Sequence, residues 1–234
     1  MNDFTNAVEF IGDNTGLLWD KVVEHLELSF AAVGVAILIA VPLGIWLGHI
    51  HRGSFLAINV SNIGRALPSL AVIAINIAIV GLGFLNVMIA LVILAVPIIL
   101  TNAYVAVDGV DRDAVEAAKG MGMRWRDVLV RIELPLALPL IFAGIRTATV
   151  YVIATATLAA IAGGGGLGDI IVNQASYGIE GVIAGAMVVA GLAFAAELFF
   201  AGLQRLVTPR GLRESKEREE DVAPLVGPAM EGST

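Results

Sequence analysis

Apolar runs of close to twenty residues recur along this chain, at about 26–48, 66–84, 87–107, 134–162 and 181–207. A run of that length matches the roughly 30 Å hydrocarbon core of a bilayer. In lipid only a helix or a closed barrel satisfies its own backbone polar groups. The chain is 58% hydrophobic and only 15% charged, with mean hydropathy +0.87, whereas a soluble domain is nearer half apolar and a quarter charged. The reading is therefore an all-α integral membrane protein with about five transmembrane helices.

The expected domain plan comes from these runs. Residues 1–24, mildly amphipathic and acidic, form an external N-terminal segment, as a short interfacial helix or a loose arm. Residues 25–207 form the membrane domain, with spans at about 26–48, 56–82, 87–107, 134–162 and 181–207. The second span is read as one long helix kinked near Pro68, with a short helix before Ala66 as the alternative. Asn86 marks a turn after Gly81 and Gly83. Small residues four apart, Gly181 with Gly185 and Ala186 with Ala190, suit close helix contact in the fifth span. Residues 208–234 read as a disordered cytoplasmic tail, since their mix of charges, Pro and Gly cannot build a core.

Basic residues set the orientation. Of the 14 Lys and Arg residues, only Lys21 falls on the side of the N-terminus. Arg65 and Arg146 lie within spans, and the others face or border the opposite side. The positive-inside rule makes that opposite side cytoplasmic. The N-terminus is then outside, the C-terminus inside, and the protein a multi-pass component of the plasma (inner) membrane.

Several chemistries find no support. There is no cysteine, so disulfides and thiolate sites are excluded. His25, His49 and His51 lack the spacing of a metal site and read as interfacial residues. No catalytic group is identified, no metal site, and no basic patch for nucleic acid. Gly163, Gly165 and Gly168 fit a G-x-G-x-x-G pattern, but a membrane span precedes it where a dinucleotide site needs a strand. Gly163, Gly165, Gly166, Gly168 and Asp169 are read instead as an external gate loop.

One passage interrupts the apolar plan. Residues 116–135 read EAAKGMGMRWRDVLVRIELP. The surrounding loop, 108–133, encodes a short helix at about 112–120, a glycine break and a second amphipathic helix at about 124–132. Asp113 and Glu116 suggest an N-terminal cap, and Gly120 and Gly122 a helix end. Val115, Ala118, Met121, Met123, Val128, Leu129 and Ile132 form an apolar face with no lipid to meet, which points to a protein partner.

The spacing of Glu116, Ala117, Ala118, Gly122, Ile132, Leu134 and Pro135 resembles the EAA signature of permease subunits of bacterial ABC importers. That resemblance implies a methionine-importer-like permease bundle, with cytoplasmic coupling helices between the third and fourth spans that dock on a separate ATPase. Arg65-Ala66-Leu67-Pro68-Ser69-Leu70, Gly144-Ile145-Arg146-Thr147-Ala148 and the Gly-Leu-Gly-Asp ending of 163–169 look like the osmoprotectant branch, which handles glycine betaine, choline, carnitine or proline. Another small substrate, or a non-transporting scaffold, stays open as an alternative. No P-loop occurs, so the chain has no ATPase site of its own. It binds no cofactor, and ATP and Mg belong to the partner. The other implied partners are a second permease chain, identical or homologous, an external substrate-binding protein, and membrane lipid.

Two charges lie deep in the expected spans, where charge is costly and faces protein or water. Arg146 and Glu197 stand at matching depths, on the order of 15 Å from the cytoplasmic side at 1.5 Å per residue. They are read as a candidate ion pair. Asn76, Asn102, Thr155 and Thr157 are read as helix-packing residues.

Overall fold

The computed structural model describes residues 2–51, 55, 59, 62, 64 and 66–208. Its described elements are helices: α1 (Asn2–Asp13), α2 (Thr15–His49), α3 (Ser69–Val80), α4 (Phe84–Asp108), α5 (Arg112–Gly120), α6 (Trp125–Val128), α7 (Leu134–Thr155), α8 (Gly168–Val172) and α9 (Gln174–Val207). A π-turn at Leu129–Glu133 joins α6 to α7, and a 3-10 segment at Ala156–Ala162 extends α7.

Among the described residues four helices are long and apolar enough to cross a membrane: Thr15–His49, Phe84–Asp108, Trp125–Ala162 and Gln174–Val207. The expected second span is represented by α3, whose 12 residues cover only about 18 Å at 1.5 Å each. The chain is helical at Ala66, breaks at Leu67 and Pro68, and resumes at Ser69, so Pro68 separates two helices instead of kinking one. The reason is local: Pro has no N–H to continue the ladder, and it starts a helix readily. The helix stops at Val80 because Gly81 takes φ +89, a left-handed conformation that favours glycine. Most of the stretch before Arg65, and the tail expected to be disordered from residue 209 on, lie outside the described residues.

Three other boundaries differ from expectation. Asn86 is not a turn residue; it lies in the first turn of α4 and is buried, its Nδ2 donating to the Gly81 carbonyl at 2.5 Å. The N-terminal segment is helical, and the first membrane helix already begins at Thr15. At 35 residues it runs about 50 Å, well beyond a hydrocarbon core of about 30 Å. The last helix begins at Gln174, but Gly178 breaks it with φ +66, so its straight portion starts near the expected 181.

α4 is the centre of the bundle. Val87, Leu91, Leu94, Ile99, Ala103 and Val107 are all buried, and α2, α3 and α7 pack around it. Lipid is as apolar as a side chain, so helices gain little by hiding leucine from it and instead associate through close contact at small residues. Gly44 and Gly48 supply this on α2. A Cβ at Gly44 would lie 2.6 Å from Ala103 Cβ and 2.9 Å from the Leu100 carbonyl oxygen, and one at Gly48 2.8 Å from Val107 Cβ. On α7, Gly144 sits directly against Asn102. In the last helix Gly181 and Gly185 do meet neighbours, Tyr177 with Phe10 and Ile171 respectively, whereas Ala186 and Ala190 are exposed.

Valine at Gly44 or Gly48 should separate α2 from α4 and cost about 1–3 kcal/mol by overpacking. Valine at Gly34, which has nothing within 4 Å, is the control on the same helix. Thermal unfolding in detergent should show a lowered midpoint for the first two variants and an unchanged one for the third.

Candidate functional site

The passage between α4 and α7 folds as two short helices around a core of its own. α5 starts because the Asp111 carboxylate accepts from the Asp113 backbone N–H at 2.9 Å, which satisfies one free N–H of the first turn. The cap is thus Asp111 and not the Asp113–Glu116 pair. α5 ends through Gly122, whose N–H donates to the Lys119 carbonyl at 2.9 Å while Met123 N–H donates to Ala118 at 3.2 Å. Gly122 holds φ +84, and a side chain there would meet nothing within 4 Å. It is the backbone conformation, not crowding, that calls for glycine.

The apolar face of this passage is mostly turned inward. Val110, Val115, Ala118 and Val128 form a buried cluster with Met123 and Ile132 packed against it. This corrects the expectation that the whole face awaits a partner. Outward stand Met121, 76% exposed, and Trp125 and Val130, each 59% exposed, with the Arg126 guanidinium 5.1 Å from the Trp125 ring centroid. Of the signature positions, Glu116, Ala117 and Gly122 are exposed and Ala118 is buried, while Ile132, Leu134 and Pro135 are half-buried. Leu134 packs against the main bundle core. The signature therefore runs from an exposed helix surface, through a small core, into a membrane helix.

The second helix of the passage is shorter than the expected 124–132. α6 gives way at Leu129 to the π-turn, which feeds directly into α7. A π-turn inserts a residue into the helical ladder and rotates the residues after it. Its last residue, Glu133, is 1% exposed and meets His49 Nδ1 at 2.5 Å through Oε2. The His49 ring stands 5.8 Å from that of Trp125. Just beyond the helix end, His51 Nδ1 lies 2.8 Å from Asp108 Oδ1. The end of α2 is thus tied both to the end of α4 and to the end of the two-helix passage. Sequence reasoning passed over Glu133; its signal was a carboxylate set between Ile132 and Leu134-Pro135, at the threshold of an apolar run.

At the other end of the bundle the glycine-rich stretch 163–169 is clasped to α2. Gly163, Gly165 and Gly166 all have positive φ, and Gly168, the first residue of α8, rests against the Thr157 carbonyl. Lys21 Nζ donates at 2.8 Å to both Glu24 Oε2 and Asp169 Oδ2. Glu24 Oε2 also accepts from the Gly166 N–H at 2.9 Å. His25 is fully buried, not interfacial; its Nε2 meets the Ile153 carbonyl at 2.8 Å.

Within the span region the structure places Arg146 Nε 3.2 Å from Glu197 Oε1, and Arg146 Nη1 donates to Gln204 Oε1 at 3.2 Å. The pair ties α7 to α9. Gln204 was not singled out in the sequence, although it lies seven residues after Glu197 and so on the same helical face.

Residues 40–211 match the family described as "Binding-protein-dependent transport system inner membrane component". This chain belongs to that family. It is an integral inner-membrane transport component. Among curated members it is 42% identical to the glycine betaine/carnitine/choline transport system permease protein OpuCB of Bacillus subtilis, over 89% of this chain and 96% of that protein. It is 41% identical to the choline transport system permease protein OpuBB of the same organism, over 91% and 98%. With the osmoprotectant import permease protein OsmW of Salmonella typhimurium it shares 35% identity over 89% and 100%. Its fold is similar to a chain from inward-facing conformations of the MetNI methionine ABC transporter, at TM-score 0.73 and 21% identity, covering 84% of this chain and 99% of that one. The methionine-importer-like permease bundle expected from the sequence is thus the fold found.

For this permease-family chain, the Arg146–Glu197 pair yields a test. Arg146→Leu strands a carboxylate inside the span, a cost of about 2–3 kcal/mol, and should lower the yield of folded protein in membranes. The double exchange Arg146→Glu with Glu197→Arg should recover it. A double exchange no better than either single change would show that the two charges do not act as a pair.

Proposed function

We propose that this chain is the membrane-spanning subunit of an ATP-driven importer for an osmoprotectant, a small solute such as glycine betaine, choline, carnitine or proline. The observation that carries this reading is the 42% identity, over 89% of the chain, with a permease named for glycine betaine, carnitine and choline. The likeness in shape to a methionine transporter, at 21% identity, concerns the fold alone and says nothing of substrate.

In this reading the signature passage is the coupling surface. A cytoplasmic ATPase binds ATP and Mg and grips α5 and α6 through the exposed Glu116 and Ala117 surface and the outward Met121 and Trp125. Closure of the ATPase dimer moves the passage as a block, because the cluster around Val115 and Val128 makes it stiff. The motion reaches α7 through the continuous helical path at Ile132 and Leu134, and reaches α2 through Glu133 and His49. Two permease chains line the path. An external binding protein delivers the solute near the 163–169 loop, which acts as an outer gate. The distribution of Lys and Arg favours an external N-terminus and a cytoplasmic C-terminus.

Two measurements test this. Proteoliposomes carrying the whole complex should accumulate labelled glycine betaine on addition of ATP, and competition by choline and carnitine ranks the substrates. Accumulation of methionine with no glycine betaine would reassign the substrate. Separately, Gly122→Val forces a β-branched residue to φ +84, so the coupling turn should distort. The variant should insert normally but lose most co-purifying ATPase. Full ATPase recovery with normal uptake would remove this turn from the coupling surface.

A further inference from the structure

The helical phase changes where the signature passage meets α7. On α7, Ala137, Ile141, Ile145 and Ala148 are buried, at the three- and four-residue steps of one helical face. Glu133, four positions before Ala137, continues that face and is 1% exposed. Val128 in α6 is fully buried in the passage's own core. It stands five positions before Glu133, which in an uninterrupted α-helix would set the two about 140° apart. The π-turn takes up the difference. The Leu134 N–H donates to the Leu129 carbonyl, five positions back, and Val130 is turned outward. One inserted residue therefore lets Val128 fill the small core while Glu133 meets the end of α2.

A carboxylate so placed is a poor device for stability. Taking a charge out of water is costly, and an apolar pair in place of a buried polar one is often neutral or stabilising. What the carboxylate adds is direction. Apolar contact is non-directional and lets helices slide, whereas a hydrogen bond weakens steeply once its atoms leave line. Glu133 Oε2 lies 2.5 Å from His49 Nδ1, with the two side chains 2% and 12% exposed. The neighbouring His51–Asp108 contact leaves both side chains about a third exposed, where water competes for it. His49 is the last residue of α2, a helix of about 50 Å. Toward its other end the same helix carries Lys21 and Glu24, which hold Asp169 and the Gly166 N–H. α2 is thus joined at one end to the signature passage and at the other to the glycine-rich loop.

We propose that Glu133 is a positioning residue: its contact with His49 makes α2 move with the signature passage, and α2 carries that movement to the 163–169 loop through Lys21 and Glu24. The assignment rests on the importer reading above and adds to it a link between the coupling surface and the outer gate.

The double variant His49→Leu with Glu133→Leu separates position from stability, because it removes both polar partners together. In the whole complex it should unfold no earlier than wild type, co-purify with the ATPase and hydrolyse ATP within about twofold of wild type. Glycine betaine uptake per ATP should fall about tenfold or more. Glu133→Gln keeps an oxygen for the His49 N–H and should retain about half of wild-type uptake or more. Wild-type uptake by the double variant overturns the proposal, as does uptake by Glu133→Gln as low as that of the double variant. A double variant that fails to fold, or that loses ATPase and uptake together, also overturns it, since the contact is then structural. For the outer end, the native chain has no cysteine. Gln174→Cys, at an exposed position two residues beyond α8, reports on the loop through an impermeant thiol reagent. ATP should change its labelling rate about threefold or more, and should not do so in the double-variant background. Labelling that ATP never changes, or changes in both backgrounds, overturns the path through α2. Failure of the importer reading is distinguishable, because it shows in the unsubstituted complex as an absence of glycine betaine uptake.

Discussion

The bundle depends on how closely α2 can approach α4. In water, apolar side chains drive helices together; in lipid that drive is gone, and contact surface has to replace it. Gly44 and Gly48 remove side chains where the two backbones meet, so Ala103, Tyr104 and Val107 come against bare helix. With α4 so enclosed, its other faces hold α7 through Gly144 and Asn102, and α3 through Val72 and Ile73.

At one end of this frame the signature passage is a small folded unit and not a floppy connector. Its core of Val110, Val115, Ala118 and Val128 is distinct from the membrane core. The π-turn and the Glu133–His49 contact join the two. A rigid block connected by a continuous helix transmits displacement, whereas a flexible loop would absorb it. At the other end, Lys21 gathers Glu24 and Asp169, and Glu24 holds the Gly166 N–H. The glycine-rich stretch is thus pinned to α2 by a few polar contacts, and polar contacts can exchange partners at a wet surface with little cost.

Much of the site was legible because its pattern is local. The spacing from Glu116 to Pro135 marks the two-helix passage, and the matching depths of Arg146 and Glu197 come from helical rise alone. Other features depend on non-local partners. Glu133 looks like one more loop carboxylate until His49 is set beside it. His25 looks interfacial until Ile153 and Gly166 enclose it. The inward packing of Val115 and Val128 covers a face that the pattern alone assigned to a partner, because an amphipathic pattern states that a face is covered but not by what.

Residue order alone established that the chain lives in a membrane, that it is helical, and that a signature passage interrupts it. Those conclusions need only hydropathy, span length and the spacing of residues, all of which are properties of consecutive positions. It took the packed helices to show that α3 starts only after Pro68, that Asn86 is buried inside α4, and that Glu133 is set against His49. Each of these depends on which helix faces which, and that is set by close packing at a few glycines far apart in the chain.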